Sequence, residues 1–253
     1  MQPCKQFSIL ILLLAILIFS GCETLYIPNA VHSPMLTNKG EGHISTSIGL
    51  IGSGLANIDV AYAVTKHMGI MADGMYHYKS FIDPYNLQSA DEQTSIYYGS
   101  LGAGYYGKIG KNENLVLQFY GGGGYGDTHM HYDYETESDL TANYYNIYAQ
   151  PGLVFKIKHV DFGFDCRVNY VQLYNFNKYL YDYYFESQFP YLFRIEPNFT
   201  VMIGGKHLKG KLQSGFTIPT YYYTSDFNVA YIYKLNVGIS YIFGRKETQT
   251  QKH

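Results

Sequence analysis

Two sets of side chains have the types and spacing to do chemistry. In Asp127-Thr128-His129-Met130-His131-Tyr132-Asp133 carboxylates and imidazoles alternate, so an extended backbone projects all four to one face. Carboxylate oxygens with imidazole nitrogens suit a divalent metal, which makes Asp127, His129, His131 and Asp133 the candidate ligands. The stretch follows Gly121 to Gly124, where the register can break, and solvated loop residues are the competing reading. The second set is charged. Asp59, Asp73, Asp165, Arg167, Arg194, Glu196, Lys211 and Lys234 fall on one parity of their segments, with Gln118, Gln150, Asn198 and Gln213 among them. Buried charge is costly unless paired, so these residues read as a polar network lining the inside of a closed sheet. A thin water-filled conduit or a small-ligand site is the other use of the same lining.

No catalytic residue is assigned. His77, His129, His131, Asp83 and Asp127 supply acids and bases, and Ser95 and Ser100 supply hydroxyls, but spacing places no nucleophile beside a base. Gly102, Gly104, Gly107 and Gly121 to Gly124 are not a phosphate cradle, because no helix start follows them and an acidic stretch does. No cofactor is expected.

The elements that must position these groups are strands. The 253-residue chain is 47% hydrophobic, 17% aromatic and 15% charged, with 29 Tyr, 26 Gly and a formal charge of -2, which excludes disorder and argues against a nucleic-acid partner. Aromatics suit a pleated surface and glycine weakens helix interiors. Alternating segments run over 41–50, 55–65, 68–79, 93–106, 114–125, 143–156, 161–173, 189–203, 210–220 and 228–243. In the last, Val229, Tyr231, Tyr233, Leu235, Val237, Ile239, Tyr241 and Phe243 share one face. These segments run 10 to 16 residues, beyond the roughly 5 or 6 of a soluble strand and enough for a tilted bilayer crossing. Backbone groups in lipid must all be paired, so the sheet has to close. The expected fold is all-β: a closed antiparallel up-and-down transmembrane β-barrel of ten strands, or eight if the first two segments act as a plug or pair outside the wall. Short connections carrying Lys66, Lys108, Lys111, Lys156, Lys158, Lys206 and Lys209 would lie on one rim, and long acidic ones on the other. A soluble barrel with an apolar interior for a small ligand is the rival architecture.

Met1 to Gln6 followed by the apolar run Ile9 to Phe19 has the form of a secretory signal, too short to span a bilayer as a helix. It ends in Phe19-Ser20-Gly21-Cys22, which resembles the lipobox of bacterial lipoproteins, with Phe19 where leucine is usual. The resemblance implies acylation of Cys22 and loss of Cys4 with the signal. Cys166 would then stand without a disulfide partner. Glu23 in place of the inner-membrane retention aspartate implies passage to the outer membrane of a Gram-negative cell. Asn236-Val237-Gly238-Ile239-Ser240-Tyr241-Ile242-Phe243 resembles the insertion signal of outer-membrane barrels. The expected organisation is a signal over 1–21, a lipidated periplasmic linker over 22–40, a barrel over 41–243 and a polar tail over 244–253, with the N-terminus periplasmic and the long loops outside. Membrane lipid is the expected partner, together with a surface glycan or protein met by the loops. The expected role is structural or surface interaction, with a narrow conduit as an added possibility. A barrel enzyme, an omptin-like protease or a lipid-modifying type, is the alternative, although no motif of those families is found.

Overall fold

The computed structural model describes residues 26–81, 92–110, 114–132, 138–175, 191–222 and 232–244. The signal segment, Cys22, Asp133 and the tail beyond Gly244 lie outside them. Ten strands follow one another: β1 (Gly42–Ile51), β2 (Ala56–Ala63), β3 (Met68–Phe81), β4 (Glu92–Ile109), β5 (Leu115–Tyr132), β6 (Ser138–Ile157), β7 (Val160–Tyr174), β8 (Tyr191–Gly204), β9 (Leu208–Tyr222) and β10 (Ile232–Phe243). Each pairs antiparallel with its sequence neighbours, and β1 pairs with β10 to close the barrel. The count is ten and not eight, because β1 and β2 are wall strands.

Closure begins with Gly42 opposite Phe243. A Cβ at Gly42 would lie 1.9 Å from the edge of the Phe243 ring, so the glycine leaves room for the aromatic end of β10 over the start of β1. Strand length sets the rim. β1 and β2 have 10 and 8 residues, whereas β4, β5 and β6 have 18, 18 and 20, so the wall is low on one side and high on the other. Two expectations change here. The stretch from Asp127 to Tyr132 is strand and not loop, and β6 begins at Ser138, because the β4–β5 and β5–β6 ladders run without a bulge through Gly121 to Gly124. Pro219 sits next to a register shift between β8 and β9, where its missing N–H leaves no gap in a regular ladder.

The outward face is apolar around the whole wall. Leu101 is 72% exposed, and Ile48, Ile147, Phe164, Ile203 and Ile239 are likewise on the outside. Outward aromatics gather toward the long connections, with Tyr76 against Tyr97 (5.0 Å), Tyr145 against Tyr174 (5.9 Å) and Tyr170 against Tyr191 (5.9 Å). A second group lies at the short turns, where Phe243 meets Tyr62 and Tyr241, each at 6.5 Å between centroids.

Candidate functional site: the filled lumen

The barrel axis is occupied by the chain itself. Residues 26–36, N-terminal to β1, run inside the wall in extended form, and Ile27 is the one residue among them not fully buried. The segment enters at the short-turn rim through a tight bend. Glu41 accepts hydrogen bonds from the Thr37 and Asn38 N–H groups at 2.9 and 3.1 Å, and Gly40 takes a positive φ of 80° that favours glycine. Going backward along the chain, Met35 and Leu36 pack among Ala61, Met71, Tyr106, Val116 and Met202. At the far end Tyr26 packs among Met75, Ile96, Met130, Tyr144 and Leu173, on the side of the long connections. The stretch expected to be a periplasmic linker is therefore, from Tyr26 onward, an internal plug. A chain without period cannot form a strand of its own, but its N–H and carbonyl groups can be satisfied by side chains that line the wall.

That is what the polar residues between the two apolar clusters do. Gln213 Nε2 donates to the Val31 carbonyl and Gln150 Nε2 to the His32 carbonyl, both at 2.6 Å, and Lys156 Nζ to the Met35 carbonyl at 2.6 Å. The Ala30 N–H donates to Asn57 Oδ1 at 3.1 Å. Arg167 donates from Nη1 to Asn29 Oδ1 (3.0 Å) and from Nε to Gln150 Oε1 (3.1 Å), and its guanidinium lies over the Tyr148 ring at 4.5 Å. Arg194 covers the Tyr26 ring at 4.7 Å, while Asn169 donates to the Tyr26 hydroxyl at 3.1 Å.

All eight charged residues singled out by parity have their side chains buried inside the barrel. Lys211 of β9 reaches Asp59 of β2 at 2.5 Å inside the barrel, Lys234 reaches Glu196 at 3.3 Å, and Asp165 accepts from Gln118 at 2.7 Å. The polar network expected to line the inside of the sheet is thus shared with the plug. Sequence reasoning missed Tyr26, Asn29 and His32 altogether, and it placed Lys209 on a rim, whereas it is buried against Asp161 at 2.7 Å. The available signal was a surplus of amide and cationic donors on the inward parity, more than the inward carboxylates could accept.

Of the four candidate metal ligands, Asp133 lies outside the described residues, and the other three are not among the donors that converge. Asp127, His129 and His131 do stand on the outward face of β5, but Asp127 Oδ2 accepts from Asn143 Nδ2 at 2.5 Å, and among the described residues the donors that converge are others. Those are His32, Asp59 and Asp73, whose ligand atoms lie within 4.8 Å of one another. Lys211 on Asp59 and the Arg167 guanidinium 3.6 Å from Asp73 already balance the two carboxylates and would repel a cation. His32 Nδ1 lies 2.8 Å from Asp73, whose other oxygen accepts from Ser100 at 2.7 Å. The carboxylate thus stands between hydroxyl and imidazole, so the imidazole does not draw a proton from Ser100 and the trio is an anchor for the plug.

No protein-family model matches the sequence, and no curated protein matches it. Among solved structures, the chain is similar to a major outer membrane protein from Thermus thermophilus, at 16% identity and a TM-score of 0.40, over 80% of this chain and 99% of that one. It is similar to the translocator domain of the autotransporter NalP from Neisseria meningitidis, at 10% identity and a TM-score of 0.43, over 94% of each chain. The beta domain of the Bordetella autotransporter BrkA gives 10% identity and a TM-score of 0.43, over 81% of this chain and 99% of that one.

Proposed function

We propose that the chain is an integral outer-membrane β-barrel, anchored in addition by a lipid on Cys22, with a structural or surface-interaction role and a lumen closed by its own N-terminal segment. The observation that carries this reading is the reversal of faces. Large apolar side chains such as Leu101, Ile147 and Ile203 stand outside, while Asp59, Arg167, Glu196 and Lys234 are buried inside. A continuous apolar belt of this extent is unstable in water and suits hydrocarbon, and the two aromatic groups suit its interfaces. A soluble barrel for an apolar ligand requires the opposite assignment over the belt. The short turns then face the periplasm and the long connections the outside, as in barrels of this class. Conduction is not assigned to the resting state, because residues 26–36 hold the axis. A surface glycan or protein partner would be met by the long connections.

The test is carbonate extraction of outer membranes with electrophoresis of boiled and unboiled samples, followed by conductance in planar bilayers. Retention, a heat-dependent mobility shift and no steady conductance are expected. Release without a shift overturns the membrane reading, and a stable open channel in the intact chain overturns the closed lumen.

A further inference from the structure

We propose that the short-turn rim is a surface for anionic phospholipid, on which lysines repeated from turn to turn hold the phosphate headgroups of the adjoining leaflet. The inference rests on the membrane reading above and adds the class of lipid that this rim selects. It starts from a repeat in the sequence. Three of the four short turns carry the same dipeptide: Lys66-His67 between β2 and β3, Lys158-His159 between β6 and β7, and Lys206-His207 between β8 and β9. Each is followed by an apolar residue that opens the next strand, Met68, Val160 or Leu208. The fourth turn follows Lys108, near the end of β4.

The three turns are built alike. In each, the histidine carbonyl accepts a hydrogen bond from the adjacent strand: His67 from the Tyr106 N–H of β4 at 2.9 Å, His159 from the Gly204 N–H of β8 at 3.0 Å, and His207 from the Ile242 N–H of β10 at 2.7 Å. The turn backbone is thereby tied to the wall at the same point of the motif. Two of the imidazoles also lie against outward tyrosines, His67 on Tyr105 at 5.7 Å between centroids and His207 beside Tyr241 at 6.3 Å. The apolar belt begins one residue later, with Met68 and Leu208 54% and 60% exposed. The lysine one residue earlier therefore stands at the edge of the belt, where its stem can lie along apolar surface while the ammonium reaches the headgroups. The exposed charge here has one sign. Lys39, Lys66, Lys108, Lys158 and Lys206 are exposed, whereas the carboxylates among the described residues of this rim, Glu41 and Asp161, are buried beside Lys156 at 3.4 Å and Lys209 at 2.7 Å. Lys111 and Glu113, outside the described residues, cancel in the sequence. Lys39, Lys66 and Lys108 further border a single cavity of about 390 Å³, together with Thr37 and Asn38 of the plug's entry bend. Like charges around one cavity repel unless an anion stands among them, and a headgroup phosphate supplies the charge and the acceptor oxygens. Cations spread along the circumference at the level of outward tyrosines match a lipid leaflet, whereas a cell-wall polymer would be met by charges projecting beyond the rim.

The experiment uses the purified full chain in phosphatidylcholine bilayers that carry spin-labelled phosphatidylglycerol or spin-labelled phosphatidylcholine. The share of each label held at the barrel is read by electron paramagnetic resonance, for the wild type and for a variant combining Lys66→Gln, Lys158→Gln and Lys206→Gln. One lysine near an anionic surface is worth up to about fivefold, so the wild type should favour phosphatidylglycerol by about threefold or more and the variant should fall toward parity. Raising the salt from about 0.1 M to about 1 M shortens the screening length from about 10 Å to about 3 Å and should remove the wild-type preference, a reading that stands even if the variant loses the heat-dependent mobility shift. Equal association of the two lipids in a wild type that keeps its shift overturns the inference and leaves the membrane reading intact. An undiminished preference in the folded variant overturns it too. Failure of the wild type to enter bilayers, with release by carbonate, overturns the membrane reading itself. Retention on purified cell-wall sacculi without any lipid preference assigns the lysines to the wall and overturns the lipid surface.

Discussion

Along β4, β5 and β6 the same alternation of side chains carries opposite chemistry below and above the outward tyrosines Tyr97, Tyr125 and Tyr145. Below them Leu101, Phe119 and Ile147 face out, and Ser100, Gln118 and Gln150 face in. Above them Ser95, His129 and Asn143 face out, and Ile96, Met130 and Ala142 are buried within. The backbone is continuous through both regions. What changes is the neighbour on each side: outside, lipid gives way to water at the tyrosines; inside, the polar middle of the plug gives way to the ring of Tyr26. Period two marks a strand, and only the environment says which face is which. The upper region alone would read as a soluble barrel with an apolar cavity, which is the rival architecture the sequence left open.

The largest expected effect is at the inner side of the upper region. Tyr26→Ala removes a buried ring that touches Tyr144 and Arg194, and an aromatic truncation of this kind costs about 3–5 kcal/mol. The midpoint of urea unfolding in detergent micelles should fall accordingly, and residues before β1 should become sensitive to protease. Tyr26→Phe keeps the ring contacts and leaves the Asn169 amide without its acceptor, a loss of about 1–3 kcal/mol. If Tyr26→Ala costs under about 1 kcal/mol, the upper cluster does not hold the plug and the two regions are not distinct inside.

The outer side gives the next test. Leu101→Arg places a charge in the middle of the belt, where such substitutions cost about 2–4 kcal/mol in barrels. Ser95→Arg, six residues away on the same face of β4 and above the tyrosines, should change stability by no more than about 0.5 kcal/mol. Equal costs at the two positions would erase the boundary drawn at Tyr97.

How much of this was legible depended on whether a residue's partner was close in sequence or far from it. β10 could be read from its own alternation, since Leu235, Val237 and Ile239 face one environment throughout. The tops of β5 and β6 could not, because the four glycines and the acidic stretch after them have loop composition, and their strand geometry comes from the unbroken ladder with β4. The plug was the least legible. Pro28 and Pro34 and the lack of period fit a linker, and what orders the segment is a set of donors from Gln150, Lys156, Arg167 and Gln213, each more than a hundred residues away. Parity found the inward groups of the wall, but it could not find what they hold.

The smallest expected effect is at the residues whose spacing first suggested chemistry. His129 and His131 occupy alternate positions of β5, outside and above the tyrosines, with Asp139 of β6 opposite His131 in register. Alternate histidines on a strand can grip a metal only if a third donor closes on the same point, and Asp127 is instead held by Asn143. His129 is exposed on the outer face of β5, so His129→Ala should leave the unfolding midpoint within about 0.5 kcal/mol of the wild type. Chelator should leave that midpoint unchanged. A zinc-dependent rise of about 1 kcal/mol or more that vanishes in His129→Ala would mean that the connection after Tyr132 supplies the missing ligand, and it would give the water-facing surface of the upper region a chemistry that the belt below it lacks.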